Sequence, residues 1–450
     1  MRYLSTRGHD ERPGFGEVLL RGLAPDGGLY LPEAWPRIPP SRFESYPDLV
    51  AAVLAPFVAP DPLEAELPEI AREAYRGFRH PLVAPLTRID DHRFLLELFW
   101  GPTLSFKDYA LSLVGALFQS VLERQGRRAL VLGATSGDTG SAAIEACRGR
   151  SNLDVVILYP RSRVSDVQRR QMTTVTDANV RVVAVEGTFD DCQALVKRAF
   201  TDQELQVPLV AVNSINWARV VAQTAYYLWA AARAGHRAVS FAVPTGNFGN
   251  AFAGWVARRV GGDIGRLLIA NNANHGLSDL IGSGIIEVEA VHTTCAPAMD
   301  IQVPSNLERY LYELAGGDHR TVRDWQRRLS DEGRIQLPPA AATRLRQEFA
   351  GDWIDDERVV EVMRRVHELH GLVLDPHTAI AWEVGERLAE PGEHLVTIAT
   401  AHAAKFPEVV HQALGFDPML PEDLTDLGER PERTLEIPND YESLLAILRA

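Results

Sequence analysis

A chain of 450 residues, 46% hydrophobic and 24% charged, has the balance of a globular protein and the length for two or three domains. Its formal net charge of -14 sets it against nucleic acid and anionic membrane surfaces, so an anionic ligand must be held by local donors. Cys147, Cys192 and Cys295 lack metal-ligand spacing and suit the core of a protein kept in a reducing, cytoplasmic compartment. The first residues lack the apolar run of a signal peptide, and no run of about 20 apolar residues predicts a membrane span.

Taken in order, Phe15, Val18, Leu19, Leu20 and Leu23 recur at helical spacing. The breaker cluster Ala24-Pro25-Asp26-Gly27-Gly28 precedes a short strand at Leu29-Tyr30-Leu31. Proline is dense from Pro32 to Pro68, which predicts only short helices there. Residues 1–95 read as an N-terminal unit without a catalytic cluster.

The run Phe94-Leu95-Leu96-Glu97-Leu98-Phe99-Trp100 predicts a strand, and residues 110–118 predict a helix. Lys107 lies between them, where loop turns into helix among apolar neighbours. A lysine there loses hydration, and its pKa falls. That is the state in which an amine condenses with a carbonyl. Taken alone, Lys107 also fits a lysine that snorkels to the surface.

From Ala129 strands and helices alternate. Strands are predicted at 129–132, 155–158, 180–185, 209–212 and 239–243, and helices at 141–147, 164–175, 189–200 and 217–234. Short apolar strands, each followed by a helix, predict a parallel α/β sheet. Ligands in such sheets gather at the carboxyl ends of the strands.

Three loops fall at such ends. In residues 133–140, Thr135, Ser136 and Thr139 offer hydroxyls at a helix N-terminus, and Gly137 and Gly140 permit close backbone approach. The loop suits a carboxylate, although a capped βα turn has the same composition. Asn213 and Ser214 end a strand, Asn216 is a good N-cap, and Arg219 lies in the first helical turn. A cation there opposes the helix dipole, and an anionic ligand would compensate it. Gly246, Asn247, Phe248, Gly249 and Asn250 read as a backbone-type phosphate cradle, although a plain turn has the same composition. That cradle matches neither the Walker loop nor the dinucleotide fingerprint.

Residues 305–370, with Leu307, Tyr310, Leu311 and Leu314 at helical spacing, read as a helical insertion. Asp375-Pro376-His377-Thr378 is a helix start. Thr400 ends a strand at the crevice. After Pro418 the chain reads as an acidic surface tail ending in one helix.

Together, Lys107, the Gly246 loop and the Thr135 loop resemble the pyridoxal-phosphate enzymes of the tryptophan-synthase-β fold type. More narrowly, the chain is similar to the threonine synthase family, in its longer class with an N-terminal domain. The likeness runs over nearly the whole chain. It includes Tyr3-x-Ser5-Thr6-Arg7-Gly8, residues 23–30, 103–108, 134–140, 213–219 and 246–250, Ser305-Asn306-Leu307-Glu308-Arg309 and residues 400–406, all in the family's order.

The resemblance implies an α/β protein of pyridoxal-phosphate fold type II. Two parallel or mixed-sheet α/β domains hold the cofactor between them, beside an N-terminal domain at 1–95. The large domain takes 96–128 and 226–450, with the insertion at about 305–370, and the small domain takes 129–225. Lys107 becomes the Schiff-base lysine and the catalytic residue. Gly246, Asn247, Phe248, Gly249 and Asn250 hold the cofactor phosphate, Thr400 faces the pyridine nitrogen, and Asp138 lies near the phenolic oxygen. Thr135, Ser136, Gly137 and Thr139 take the substrate carboxylate; Asn213, Ser214, Asn216 and Arg219 take its phosphate. No metal is implied. The implied reaction eliminates phosphate from O-phospho-L-homoserine and adds water to give L-threonine, in a monomer or homodimer. Threonine or serine dehydratases and phospho-lyases share these loops. The competing class is an inactive phosphate- or nucleotide-binding protein, against which the missing Walker lysine argues.

Overall fold

Two sheets organise the chain. The larger has six strands, in the order Phe349–Trp353, Ile264–Asn271, Val239–Pro244, Leu395–Ala399, Arg93–Glu97 and Leu86–Arg88. Neighbours are parallel except at the last pair. The smaller has five parallel strands, in the order Leu435–Pro438, Val180–Glu186, Leu153–Pro160, Ala129–Ala134 and Leu209–Val210. The computed structural model describes residues 1–38, 43–161, 164–235 and 238–449. Part of the proline-dense stretch, residues 39–42, therefore lies outside the described residues. Among the described residues, no helix is long and apolar enough to cross a membrane.

The strands are short apolar runs because helices cover both faces of each sheet. Val155, Val156, Ile157 and Leu158 are all buried. The helix Lys107–Gln125 crosses the helix Asp138–Cys147 closely enough that a Cβ on Gly115 would lie 2.3 Å from the Ala146 carbonyl oxygen. Only glycine permits that approach. This crossing brings the first residues of both helices, Lys107 and Asp138, to one place.

The N-terminal segment braces the same helix. Tyr75 Oη donates to the Tyr109 carbonyl at 2.7 Å, and Tyr46 packs edge-on against Tyr75, Tyr109 and Trp229. The proline-dense stretch contains a longer helix than expected, Tyr46–Val58. Pro47 lies in its first turn, where no N–H is required, and Pro56 lies in its last.

Other expectations need correction. The stretch 305–370 is not wholly helical, since it contains Phe349–Trp353, an edge strand of the larger sheet. The acidic tail is not only surface. Leu435–Pro438 pairs with Val180–Glu186, and the helix Tyr441–Arg449 buries Leu444 and Leu448. Neither strand is an apolar run: each lies at a sheet edge, Phe349–Trp353 carries Gly351 and Asp352 at half-buried positions, and Leu435–Pro438 is largely open to solvent. The strand at 209–212 stops at Val210, and the Val212 carbonyl instead accepts from Arg219 Nη1 at 3.0 Å. The boundaries expected at 95 and 225 fall inside the strand Arg93–Glu97 and the helix Trp217–Ala234.

Candidate active site

The carboxyl ends of three adjacent strands supply the site. Arg93–Glu97 leads to the loop before Lys107, Leu395–Ala399 ends at Thr400, and Val239–Pro244 leads to the Gly246 loop. Backbone bonds join the first two. The Phe106 N–H donates to the Thr400 carbonyl at 2.8 Å, and the His402 N–H donates to the Leu104 carbonyl at 3.0 Å.

Lys107 begins its helix and is mostly buried, and its Nζ donates to Asp138 Oδ2 at 2.9 Å. Burial pushes the Lys107 amine below its ordinary value; Asp138 opposes that shift, and the charges of Lys405 and Arg219 add to it. Burial alone would raise the Asp138 carboxyl, but Lys107 and Lys405 outweigh it and hold it well below the usual range. The other oxygen of Asp138, Oδ1, accepts from Gln168 Nε2 at 2.7 Å and faces Lys405 Nζ at 3.0 Å.

The Gly246 loop opens the helix Gly249–Arg259. A Cβ on Gly246 would lie 2.5 Å from the Ala298 carbonyl oxygen, so this wall of the loop admits only glycine. Phe248 has φ 61°, held by packing against Tyr310 and Phe349. Asn250 Oδ1 accepts from Tyr226 Oη at 2.6 Å and Tyr227 Oη at 2.9 Å. Its Nδ2 is buried and has no partner among the described residues. Asn247 is tied through its carbonyl to the Asn306 N–H at 3.1 Å and through Oδ1 to the Ser305 hydroxyl at 3.1 Å.

Ser305 also meets Ser214, Oγ to Oγ, at 3.2 Å, which joins the Asn213 loop to the Gly246 loop. Arg219 is buried, burial lowers its guanidinium to about 10, and its Nε has no partner among the described residues. No carboxylate pairs with it among those residues, so the cation stands ready for an anion. Asn213 is exposed and Ser214 half-buried. Asn216 departs from its expected role as a substrate group. Its Oδ1 caps the Ala218 N–H at 3.1 Å and its Nδ2 donates to the Leu19 carbonyl at 2.8 Å, so it ties the helix to the N-terminal segment.

Thr135 also differs from expectation. Its Oγ1 turns inward, accepting from Gly137 N at 3.0 Å and Gly140 N at 2.9 Å. A Cβ on Gly140 would strike Thr135 Cγ2 at 2.4 Å, so Gly140 serves this packing rather than ligand approach. Ser136 is exposed and Thr139 half-buried in the same loop. The Asp375 motif stands behind the site. Thr378 Oγ1 accepts from the Thr400 N–H at 3.2 Å and donates to Asp375. Asp375 also holds His377 Nδ1 at 2.9 Å, and His377 Nε2 accepts from the Ala298 N–H at 3.3 Å. Lys405, Gln168, Tyr226, Tyr227 and Ser305 were given no role from sequence. Ser305 and Lys405 do lie within stretches that carry the family resemblance.

A family model described as "Pyridoxal-phosphate dependent enzyme" matches residues 85–347, "Threonine synthase N terminus" matches 2–75 and "Threonine synthase, C-terminal" matches 378–447. The chain is 44% identical to the threonine synthase of Pseudomonas aeruginosa, covering 100% of this chain and 98% of that one. The chain belongs to the threonine synthase family. A crystal structure of threonine synthase with bound pyridoxal phosphate, from Brucella melitensis, is 44% identical and superposes with TM-score 0.97 over 100% of this chain and 99% of that one. Yeast threonine synthase, 36% identical, gives 0.94 over 100% and 98%. As a member of the threonine synthase family the protein is a pyridoxal-phosphate-dependent lyase of fold type II. Its residues fit that cofactor: Asn250 Nδ2 is an orphaned buried donor in the first turn of the helix that the Gly246 loop opens.

Proposed function

We propose that the protein converts O-phospho-L-homoserine and water into L-threonine and phosphate, with Lys107 as the amine that holds the cofactor and moves protons. The observation that carries this reading is the buried Lys107 amine on Asp138, with the unpaired Arg219 charge bearing on it. When bound, pyridoxal phosphate supplies the electron sink that acidifies the substrate's α- and β-protons.

The chain's own groups do the rest. Lys107 Nζ takes the α-proton, releases it within the site and, neutral again, takes the β-proton, so that phosphate leaves the γ-carbon with the C–O bonding pair. Arg219, Ser214 and Asn213 hold that phosphate and stabilise its developing charge. A proton returned to the γ-carbon, water added at the β-carbon and a proton returned to the α-carbon complete threonine. N–H groups of the 135–139 loop, with Ser136 and Thr139, take the substrate carboxylate. The loop from Gly246 to Asn250 takes the cofactor phosphate, Thr400 the pyridine nitrogen and Asp138 the phenolic oxygen side.

The same proposal divides the chain into an N-terminal unit, a small unit around the five-stranded sheet and a large unit around the six-stranded sheet, supported by the strand pairing. A cytoplasmic location and a monomeric or homodimeric state belong to it as well. The first is supported by the three free cysteines, and sedimentation reads the second. The test is stoichiometric release of phosphate and threonine from O-phospho-L-homoserine. Formation of 2-oxobutanoate from threonine, without phosphohomoserine turnover, would replace this reading by a dehydratase.

A further inference from the structure

Lysine occurs three times in 450 residues, in a chain with 46 lysines and arginines together. Lys197 is exposed. The other two, Lys107 and Lys405, meet at one carboxylate: Asp138 Oδ2 binds Lys107 Nζ at 2.9 Å, and Oδ1 faces Lys405 Nζ at 3.0 Å. Lys405 is fully buried, with 0% exposure, in a short turn after Thr400. Besides Asp138, its Nζ donates to the Thr103 carbonyl at 2.7 Å and to Gln171 Oε1 at 2.9 Å.

Three acceptors around one nitrogen match the three N–H groups of an ammonium. Lys107 has the single carboxylate oxygen and lies nearer the solvent, at 12% side-chain exposure. Two ammonium groups share one buried carboxylate only at a cost, and Lys107, with fewer acceptors, is the one whose proton is held less firmly.

We propose that Lys405 is a positioning residue: from behind Asp138 it holds the carboxylate in place and sets a second positive charge against Lys107, favouring the neutral amine there. The inference rests on Lys107 being the amine that holds the cofactor. The titratable and charged groups bearing on the pair are Asp138 and Arg219, which face Lys107, Asp108, which faces Lys405 from the Lys107 helix, and His402, three residues before Lys405, whose imidazole is lowered mainly by burial and partly by the Lys405 charge. Asp108 is bound to Thr103 and Ser105, and burial pushes its carboxyl up to about 6, so it offsets Lys405 weakly.

The test labels the full chain, freed of cofactor, with trace acetic anhydride across a pH series. Mass spectrometry reads the label at Lys107 against the exposed Lys197. In Lys405→Met the pH of half-labelling at Lys107 rises by about one unit or more. In Lys405→Arg, which keeps the charge, it stays near the parent value. Gln171→Glu puts a carboxylate against Lys405 at nearly constant volume and raises the midpoint too, which keeps the proposal testable if Lys405→Met fails to fold. An unmoved midpoint in Lys405→Met, or in Gln171→Glu where Lys405→Met does not fold, overturns the proposal, as does an equal rise in Lys405→Arg. Borohydride trapping of the loaded parent chain separates this from the underlying reading. A pyridoxyl group on Lys107 with unmoved midpoints removes only the role of Lys405, whereas a pyridoxyl group elsewhere removes both.

Discussion

The N–H of Phe106 donates to the carbonyl of Thr400 at 2.8 Å, so the residue before Lys107 is fastened to the end of a central strand. An antiparallel bridge between Ser105 and Ala401 continues the tie. Lys107 thus enters its helix from a loop fixed to the six-stranded sheet, while Asp138 comes from the five-stranded one. Because the Thr400 bonds are backbone bonds, Thr400→Val should keep the fold while removing the hydroxyl. We expect thermal stability within about 1 kcal/mol of the parent and cofactor affinity lower by about five- to ten-fold. Cofactor titration followed by absorbance checks it; unchanged affinity would take the Thr400 hydroxyl out of the site.

Tyr226 and Tyr227 both donate to Asn250 Oδ1, which fixes the orientation of that amide and leaves its Nδ2 without a partner among the described residues. Either Tyr→Phe variant leaves one tyrosine to hold the amide and should raise the cofactor Kd about five-fold. The double variant lets the amide turn over, so its loss should exceed the sum of the single losses. Strict additivity in a double-mutant cycle would mean that the tyrosines do not act through Asn250.

Arg219 is a buried cation that the fold alone does not need. Arg219→Met should leave the melting temperature unchanged or higher, because it removes an uncompensated desolvated charge. The same variant should lower kcat/KM for O-phospho-L-homoserine by about 100-fold, the value of a charge-assisted contact to phosphate. Binding of unphosphorylated homoserine should change far less. Equal losses for both ligands would move the phosphate site elsewhere.

Asp138 acts on Lys107 with the opposite sign to Lys405. Its charge favours the Lys107 ammonium, so Asp138→Asn should lower the pH at which Lys107 loses its proton. The carboxyl of Asp138 is held well below its ordinary value, against the effect of burial, by Lys107 and Lys405. The unfolded chain therefore protonates first on acidification. The stabilisation from this carboxylate is complete above about pH 4 and is lost as the pH falls toward the depressed folded value. Acid unfolding of Asp138→Asn, followed by circular dichroism, should lack that component; an identical acid profile would contradict the ion pairing.

Much of this was legible in the sequence, and the exceptions have physical causes. Lys107 was readable because apolar runs on both sides placed it at a strand-to-helix turn. Trp217–Ala234 was readable because its length and its Asn216 cap leave little choice. The strand Ile264–Asn271 escaped because Gly265 and Arg266 interrupt its apolar run. The edge strand Leu435–Pro438 escaped because exposed positions carry no apolar signal, and Phe349–Trp353 because Gly351 and Asp352 break its apolar run. Within the site, composition could not say which way a hydroxyl turns. Thr135 points inward because the N–H groups of Gly137 and Gly140 need a partner. Lys405 was invisible as an actor because Thr103, Gln171 and Asp138 are all distant in the chain and meet it only on folding.

The most direct measurement is borohydride reduction of the loaded chain followed by peptide mapping, in the parent and in Lys107→Ala. With lysine only at 107, 197 and 405, each candidate amine lies in its own stretch of chain. The account predicts one pyridoxyl group, on Lys107, and none in the Lys107→Ala chain. A pyridoxyl group on Lys405 or Lys197, or an adduct that survives in Lys107→Ala, would contradict it.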